Sequence, residues 1–525
     1  MNRLASFLSL VTCHLSLKQI MNVIITTLLF AAPEWVRTAI TRERQPNVFW
    51  SEYVVWPLIQ ILIVLFIVLT VVAYLVWVER KVSAFMQARL GPMRVGPWGL
   101  LQPLADGLKL LLKEDLIPSK ADQSVFTIAP IISVVAAFVV LAVIPWGSTW
   151  ATIANINIGL LFVLAVSSIS VLGLVLAGWS SNSKYSLLGA LRSSAQMVSY
   201  EIGMGLSIIG ALMFARTLSL NGIIEAQQAD RIWYVLFQPV GFVVYIVSAL
   251  GETNRAPFDL PEAESELVAG YHTEYSGFRW ALFFMAEYTS VIVTTAIAVT
   301  LFLGGWTLFG LESRITPVAF SIVVAVLLAL LALLIFWRGV MGEPPSIMRT
   351  VGMAAAALFI LAAIALAVTH PFTEQGARVL FSVGVFAGKI LVLIYAYMWF
   401  RWTWPRYRYD QLMALGWKWM IPAGLTNIVL TGIWFVLALP KPQGVFGLMR
   451  EQAGRLLPTG KGIAYFIATA FVLTIPITWT LLATINRRTR DFNLAEQRQL
   501  QMRLRRERLE KQLQKGARES EQAQV

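Results

Sequence analysis

Long apolar runs separated by short polar loops dominate the chain from residue 56 onward. Three of the runs carry one ionisable residue each, Glu201, Glu287 and Lys389, and the other eight carry none. About 20 consecutive apolar residues are typical of a helix that crosses a bilayer. The pattern therefore predicts an all-α polytopic membrane protein with about eleven transmembrane helices, within Trp56–Val78, Val125–Trp146, Ile156–Trp179, Ala195–Ala215, Ile232–Leu250, Trp280–Trp306, Pro317–Trp337, Thr350–Val368, Val379–Phe400, Met420–Leu439 and Ile463–Ile485.

The loops between these runs alternate between the two sides of the membrane. Most of the 42 Lys and Arg residues fall on one side, which is cytoplasmic by the positive-inside rule. The N-terminus then faces outward and the C-terminal tail lies inside. The cytoplasmic segments are 79–122, 180–194, 251–279, 338–349, 401–419 and the tail.

The first 55 residues carry a weaker signal. The apolar stretch Ile20–Ala32 is short for a span, so it is either an interfacial helix or a signal-like region. Met21 is an alternative start.

The first cytoplasmic segment contains two distinct elements. Gly91–Pro97 is a glycine–proline loop that cannot be helical, and it lacks the spacing and lysine of a phosphate-binding loop. Trp98–Lys113 places its leucines on one stripe and its polar residues on the other. This segment is predicted to be an amphipathic helix, either lying in the membrane interface or simply covering the protein surface.

The cytoplasmic stretch Gly251–Tyr288 is acidic, although loops on this side normally collect Lys and Arg. Only Arg255 and Arg279 offset the carboxylates. Acids near Pro261 fit the start of a solvated helix, but that leaves the charge imbalance unexplained. Carboxylates at a membrane are costly unless they hold or move something positive. The acids are Glu252, Asp259, Glu262, Glu264, Glu266, Glu274 and Glu287.

Glu201 stands alone within an apolar run. Burial favours the neutral form of a carboxyl group, which makes Glu201 a candidate proton carrier. The alternative is a neutral glutamic acid hydrogen-bonded to a backbone carbonyl. Topology alone accounts for most of the arginines at the cytoplasmic span ends, including Arg192 and Arg401.

Composition excludes several functions. The chain has one cysteine and three scattered histidines, which argues against haem, zinc or iron–sulfur ligation and predicts no metal site. The net charge of +13 lies in loops and in the tail, where it meets lipid headgroups rather than nucleic acid. The tail from Asn486 to Val525 is either a helix against lipid or a partner, or a solvated appendage.

Four motifs resemble the quinone-channel subunit of respiratory complex I, the family of the bacterial NADH-quinone oxidoreductase H subunit and of mitochondrial NADH dehydrogenase subunit 1. They are VERKVSAFMQARLGPMRVGPWGLLQPLADGLKLLLKE (78–114), GWSSNSKYSLLGALRSSAQMVSYEIGMGLS (178–207), GETNRAPFDLPEAESELVAGYHTEYSGFRWALFFMAEY (251–288) and PRYRYDQLMALGWKWMIP (405–422). The resemblance covers about residues 56–310 and 378–440.

The resemblance implies a multi-pass subunit of the bacterial cell membrane that shapes a quinone chamber and couples quinone reduction to proton translocation. NADH, FMN and the iron–sulfur clusters would belong to partner subunits, so no complete redox site is expected on this chain. Partners would be the iron–sulfur quinone-module subunits, small membrane-arm subunits and membrane lipids. The implied quinone-binding residues are Arg80, Asp106, Arg192, Arg279, Phe283 and Phe284. The implied proton-coupling residues are Glu79, Glu201, Glu252, Asp259, Glu262, Glu264, Glu266, Glu274 and Glu287.

The chain departs from the eight-helix family core by about three extra helices. Two lie in an insertion and one follows the core. The resulting division is an N-terminal segment (1–55), core helices (56–310), an inserted helix pair (311–377), last core helices (378–440), an extra C-terminal helix (441–485) and a basic cytoplasmic tail (486–525).

Three other functions remain open from the residues. One is the anchor subunit of a related membrane-bound hydrogenase or another complex-I-like dehydrogenase. Another is a stand-alone cation transporter using Glu201 and Lys389, although the chain shows no internal repeat. The last is a purely structural anchor.

Overall fold

The computed structural model describes residues 56–148, 151–259, 269–309, 316–341, 346–369, 374–440, 445–452 and 455–487. The chain divides at Ile63 and Val64 into two units, and every site discussed below lies in the second. The described residues do not include the predicted N-terminal segment, Glu262, Glu264 and Glu266, or the basic tail beyond Arg487.

Helices account for nearly all of the described chain, and each of the eleven predicted apolar runs coincides with one of them. In order they are α1 (Trp56–Met86), α2 (Gln102–Leu112), α3 (Gln123–Leu141), α4 (Gly159–Ser180), α5 (Lys184–Ala215), α6 (Leu220–Asp230), α7 (Pro239–Glu252), α8 (Gly277–Phe302), α9 (Pro317–Met341), α10 (Ser346–Thr369), α11 (Glu374–Thr403), α12 (Tyr409–Leu415), α13 (Ile421–Ala438) and α14 (Gly460–Ala468).

Eight stretches are long and apolar enough to cross a membrane, and three shorter apolar helices accompany them. Helix α12 runs through a π-helical turn into α13, so Tyr409–Ala438 forms one span-length stretch. Helix α14 likewise continues to Arg487 through a π-helical turn. The fold is that of a polytopic helical membrane protein, and the number of helices that cross the bilayer stays a prediction.

Helix α8 forms the centre of the second unit. In its most apolar window, 72% of the residues are buried, against 17–50% for the other long helices. It packs against α3, α11 and α7. A helix buried by protein on most sides holds its side chains in fixed positions. Side chains on α8 are therefore well placed to build a site.

The predicted loop 180–194 was largely wrong, because α5 begins at Lys184. Ser186, Gly189, Ala190 and Ser193 are buried, and the helix packs against the turn Gly270–His272. A Cβ on Gly189 would lie only 2.7 Å from the Cα of Gly270. The close approach of the two backbones explains why this helix contains glycine and polar residues, which are more typical of a loop.

Of two smaller elements, the sequence predicted one and missed the other. The predicted amphipathic helix is confirmed as α2, which follows the predicted Gly91–Pro97 loop, and none of its residues is buried. Its leucines lie exposed, as expected of a surface or interfacial helix. By contrast, the hairpin of β1 (Met449–Gln452) and β2 (Arg455–Pro458) was not predicted. It precedes α14, which Thr459 caps by accepting from the amide of Gly462 at 3.1 Å.

Candidate functional site

Five charged or hydroxyl side chains meet where α1, α8 and α11 face the segment that follows α7. We call Glu79, Arg255, Glu287, Tyr288 and Arg401 the central cluster. Glu79 is only 7% exposed. One of its carboxylate oxygens is paired with Arg401, and the other accepts a hydrogen bond of 2.6 Å from the hydroxyl of Tyr288. Buried carboxylates require such partners, so both oxygens of Glu79 are accounted for.

Arg255 forms the second half of the cluster. Its guanidinium lies 2.6 Å from Glu287 Oε2 and 4.4 Å from the centre of the Tyr288 ring. Tyr271 donates to the other carboxylate oxygen of Glu287 at 2.8 Å. Two arginines and two glutamates thus balance within a partly buried network, with the Tyr288 ring between them.

Four members of the central cluster, Glu79, Arg255, Tyr288 and Arg401, line an open pocket with about 410 Å³ of empty space, which we call the central pocket. The remaining walls are mostly apolar and come from α1, α7, α8 and α11. Pockets that bind small molecules combine apolar walls with a few convergent polar groups in this way. The residues that line it besides the cluster are Leu75, Leu250, Thr253, Ala256, Val291, Ile394, Tyr397 and Met398.

Two further pockets lie between α3, α4, α5 and α8 and carry several serines. They share Ser170, Met197, Glu252 and Ser290 in their linings. Glu287 lines the first of these pockets as well as belonging to the central cluster. Among the described residues, Glu252 Oε2 has no hydrogen-bond partner. A carboxylate oxygen without a partner, in pockets whose largely apolar walls carry several serine hydroxyls, is chemically suited to exchange protons with water.

Glu201 lies on α5 and is not itself among the residues that line these two pockets. It accepts a hydrogen bond from the hydroxyl of Ser168 on α4. The sequence left two interpretations of Glu201 open: a proton carrier, or a neutral glutamic acid hydrogen-bonded to a backbone carbonyl. The structure gives it a side-chain hydroxyl partner on a neighbouring helix, and Ser167 and Ser170 of that helix line the serine-rich pockets.

Asp259 is the last described residue in the first half of the acidic stretch. It lies 3.4 Å from Arg406 in the loop after α11. Burial raises the pKa of Asp259 to about 6, and Arg406 acts in the opposite direction. A carboxyl group with such a pKa changes charge close to neutral pH.

The other predicted residues lie outside the central cluster. Arg80 pairs with Asp106 at 2.6 Å, and both line a polar pocket between α2 and the start of α8. Arg279 pairs with Asp115 at 3.2 Å. Arg192 lies over the Tyr409 ring at 5.5 Å.

The two predicted phenylalanines point to different surroundings. Phe283 is buried against Tyr271 and Tyr275, whereas Phe284 stacks on Trp280 and contacts Arg255. Glu274 is half-buried in the turn before α8. The predicted sites therefore form several neighbouring groups rather than one chamber.

Side chains of helix α5 hold the acidic stretch in place through hydrogen bonds. The amide of Gln196, which is fully buried, donates to the carbonyls of Gly251 and Phe258 at 2.8 and 2.9 Å. Asn254 donates to Ser193, and Ser186 donates to the carbonyl of Tyr271. Both ends of the stretch are consequently fixed to one helix.

Sequence reasoning missed the partners of the acids. Arg401 was assigned to topology, Arg255 was noted only as offsetting the charge of the acids, and Tyr271 and Tyr288 were not singled out. The available signal was a tyrosine directly after Glu287, a glutamate within an apolar run that follows an acidic loop containing arginine. Lys389, the candidate cation carrier, instead donates to the carbonyls of Leu303, Gly305 and Thr307 at 2.6–2.9 Å and so caps the end of α8.

Comparison with known proteins gives consistent results. A family model described as NADH dehydrogenase matches residues 59–432. The NADH-quinone oxidoreductase H subunit numbered 1 in Koribacter versatilis is 46% identical over 72% of this chain and 91% of its own length. The H subunit numbered 2 in Solibacter usitatus is 47% identical over 69% of this chain and 92% of its own. The chain belongs to the NADH dehydrogenase family.

Membership in the NADH dehydrogenase family confirms the resemblance derived from the four motifs. The NADH-quinone oxidoreductase H subunit of Rhodospirillum rubrum is also similar, at 42% identity over 73% of this chain and 96% of its own length. These relatives are named as subunits of one multi-subunit oxidoreductase, which favours that function over a hydrogenase anchor or a transporter. The family match ends at residue 432, so α14 lies beyond it.

Proposed function

We propose that this chain is the membrane subunit of a proton-translocating NADH:quinone oxidoreductase in which the central pocket receives the quinone. The observation that carries the proposal is the combination in one pocket of the Arg401–Glu79 pair, Arg255, the Tyr288 hydroxyl and apolar walls. The walls suit the carbon ring of a quinone. Arginine and tyrosine supply hydrogen-bond donors suited to its carbonyl oxygens.

Reduction of a quinone to a quinol takes two electrons and two protons. The electrons would come from an iron–sulfur cluster on a docked partner subunit, which in turn receives them from NADH through FMN on other subunits. The chain's own residues contribute orientation, exclusion of water and protons. Because Glu79 and Glu287 are each bonded to both an arginine and a tyrosine, a change of charge in the pocket would redistribute these bonds.

We further propose that the serine-rich pockets carry protons between the central cluster and Glu201. Glu287 belongs to the cluster and to the first pocket, Glu252 lines both pockets, and Glu201 is bonded to Ser168 on the adjoining helix. Hydroxyl groups that can both donate and accept are suited to hold water between carboxylates. Glu262, Glu264, Glu266 and Glu274 would extend the acidic surface toward the cytoplasm.

Sidedness and domain roles belong to the same proposal. The acidic stretch, α2 and the tail would lie on the cytoplasmic side, where the hydrophilic partners dock. The inserted pair α9 and α10 would be peripheral, because its helices pack chiefly on each other and reach the rest of the described chain through α9 against α11. Arg80 and Asp106 would border the entrance used by the quinone.

Occupation of the central pocket can be tested by filling it. Val291 is 9% exposed and lines the pocket, so Val291→Phe places a ring inside it. We expect loss of NADH:quinone reductase activity with retained NADH oxidation by hexacyanoferrate, which reports on the hydrophilic arm. Leu391→Phe, on the exposed face of α11, is the control and should leave both activities unchanged. Normal quinone reduction by an assembled Val291→Phe complex would exclude this pocket.

The proton role of Glu201 is tested separately. Glu201→Gln keeps the shape of the side chain and a hydrogen-bond acceptor for Ser168 but cannot carry a proton. We expect hexacyanoferrate reduction to stay intact while quinone reduction and proton pumping in vesicles fall together. Full pumping at an unchanged rate would remove Glu201 from the pathway and leave a structural role.

A further inference from the structure

Helices α7 and α8 separate the central pocket from the second of the two serine-rich pockets. Each helix contributes to both linings: Leu250 and Val291 line the central pocket, whereas Glu252 and Thr294 line the serine-rich pocket. We call these four residues the dividing wall. Tyr397 reaches the wall from α11, since its side chain lines the central pocket while its hydroxyl lies near the side chain of Thr294.

A second tyrosine at the dividing wall provides a contrast. Tyr245 and Tyr397 are both buried, at 0% and 6% exposure. The hydroxyl of Tyr245 donates to the carbonyl oxygen of Thr294 at 2.9 Å. Among the described residues, the hydroxyl of Tyr397 has no partner with hydrogen-bonding geometry. Buried polar groups normally have a partner, so this hydroxyl is available to bind a molecule in the central pocket.

Three hydroxyl groups line the central pocket, and two of them are already engaged. Thr253 donates to the carbonyl of Leu250 at 3.1 Å, and Tyr288 donates to Glu79 at 2.6 Å. The third hydroxyl belongs to Tyr397. Of the three, it is the one that can donate to a carbonyl oxygen of a quinone without breaking a bond that the described residues already make.

The carboxyl group of Glu252 supplies a proton donor near Tyr397. It lies close enough to interact electrostatically with this tyrosine, and it interacts in the same way with Glu201. Its Oε2 atom has no hydrogen-bond partner among the residues that the structure describes. A protonated carboxyl group can donate, and a phenol can accept and donate at the same oxygen. Glu201, Glu252 and Tyr397 thus form a series of groups that ends in the central pocket.

We propose that Tyr397 is a catalytic residue that passes a proton from Glu252 to the quinone in the central pocket, a role that rests on the function proposed above. The O–H bond of Tyr397 breaks as its proton bonds to an oxygen of the reduced quinone. The carboxyl proton of Glu252 moves, directly or through one water, to the tyrosine oxygen and restores the hydroxyl. Glu252 is left as a carboxylate that Glu201 can reprotonate. Each passage delivers one of the two protons of a quinol, and the electrons are those that the proposed function assigns to a partner subunit.

Removal of the hydroxyl tests this role in the intact complex. Tyr397→Phe keeps the ring and its packing but cannot carry a proton. We expect kcat of NADH:quinone reduction to fall about a hundredfold, which is typical of a positioned proton donor, while KM for the quinone changes far less. NADH oxidation by hexacyanoferrate should stay intact. Tyr245→Phe is the matched control and should leave kcat unchanged, because it removes a hydroxyl that is already bonded to a backbone carbonyl.

A fluorinated tyrosine separates proton transfer from a structural role. Replacement of Tyr397 by difluorotyrosine keeps the ring and the hydroxyl but makes the phenol more acidic. We expect this replacement to restore, at low pH, the activity that Tyr397→Phe lacks, and to lose it at high pH, where the ionised phenol cannot donate. The descending limb of the kcat profile should therefore move to lower pH. The other titratable groups around Tyr397 are the same with and without fluorine: Glu79, Tyr245, Glu252, Arg255, Tyr288 and Arg401.

Two results would overturn the proposal. One is a wild-type kcat in assembled Tyr397→Phe, whether or not KM rises, and the other is a pH profile that difluorotyrosine leaves unmoved. The fluorinated complex decides the question even where Tyr397→Phe does not assemble. Failure of the proposed function gives a different pattern, because the unmodified complex would then lack NADH:quinone activity or would keep it in Val291→Phe.

Discussion

The ion pair of Arg401 with Glu79 offers the sharpest test of the central cluster. Arg401→Met removes the cation and leaves the carboxylate with Tyr288 alone. The side chain of Glu79 is 9% exposed, so water cannot replace the lost partner. Removing one member of a buried pair costs about 3–5 kcal/mol. Because the Tyr288 hydrogen bond remains, we expect the low end of that range.

A cost of about 3 kcal/mol lowers the ratio of closed to opened cluster by roughly 150-fold. Arg406→Met is a matched control, because its ion pair with Asp259 is longer, at 3.4 Å, and the arginine is 48% exposed. Exposed pairs contribute about 0–1 kcal/mol, which corresponds to fivefold at most.

The assay is hydrogen exchange of the intact complex, read by mass spectrometry at the C-terminal end of α1 and in the first three turns of α8. Arg401→Met should speed exchange there by about a hundredfold, and Arg406→Met should change it little. Adding Glu79→Met to Arg401→Met should restore much of the protection, because no unpaired charge then remains. Equal, small effects of the two arginine variants would refute the reasoning that the Glu79 pair is buried and structurally important.

Three further predictions address other parts of the site. Burial raises the pKa of Asp259 to about 6, so its carboxyl group is neutral below and charged above that pH. Asp259→Asn should therefore remove an inflection near pH 6 from the pH profile of quinone reductase activity. Arg406→Gln should move that inflection to higher pH, because the arginine lowers the pKa of Asp259. Gln196→Leu leaves two buried carbonyls without their donor, at about 1–3 kcal/mol each, and should speed proteolysis of the acidic stretch, whereas Ser194→Ala on the same helix should not. Lys389→Met should lower the yield of assembled complex but leave protons pumped per electron unchanged in what survives, since the ammonium caps α8; a changed ratio would contradict this role.

The membrane helices could be predicted because a bilayer demands apolar runs of fixed length whatever the tertiary contacts. The Gly91–Pro97 loop was equally predictable, since its prolines and glycines disfavour a helix whatever distant residues pack against it. The start of α5 was not predictable, because Ser186 and Gly189 are buried there against a turn about eighty residues away in sequence. The hairpin before α14 carries no clear alternation in only two four-residue strands.

The candidate site was predictable in its acids but not in their partners. A carboxylate within an apolar run is conspicuous, as Glu201 and Glu287 show. An arginine at a cytoplasmic span end is expected from topology, so nothing in the sequence distinguishes Arg401, which is partly buried on Glu79, from the exposed Arg406. The role of the Tyr288 hydroxyl follows from its hydrogen bond to Glu79, which lies 209 positions away in the sequence.

The central claim is that this chain works as the quinone-handling membrane subunit of an NADH-driven complex. The most direct measurement is a tagged purification in mild detergent, with the eluate assayed for NADH- and hydrogen-dependent quinone reduction. The account predicts flavin and iron–sulfur subunits in the eluate and NADH:quinone activity that Val291→Phe abolishes. Hydrogen-driven activity without flavin, or a chain that elutes alone from intact membranes, would contradict it.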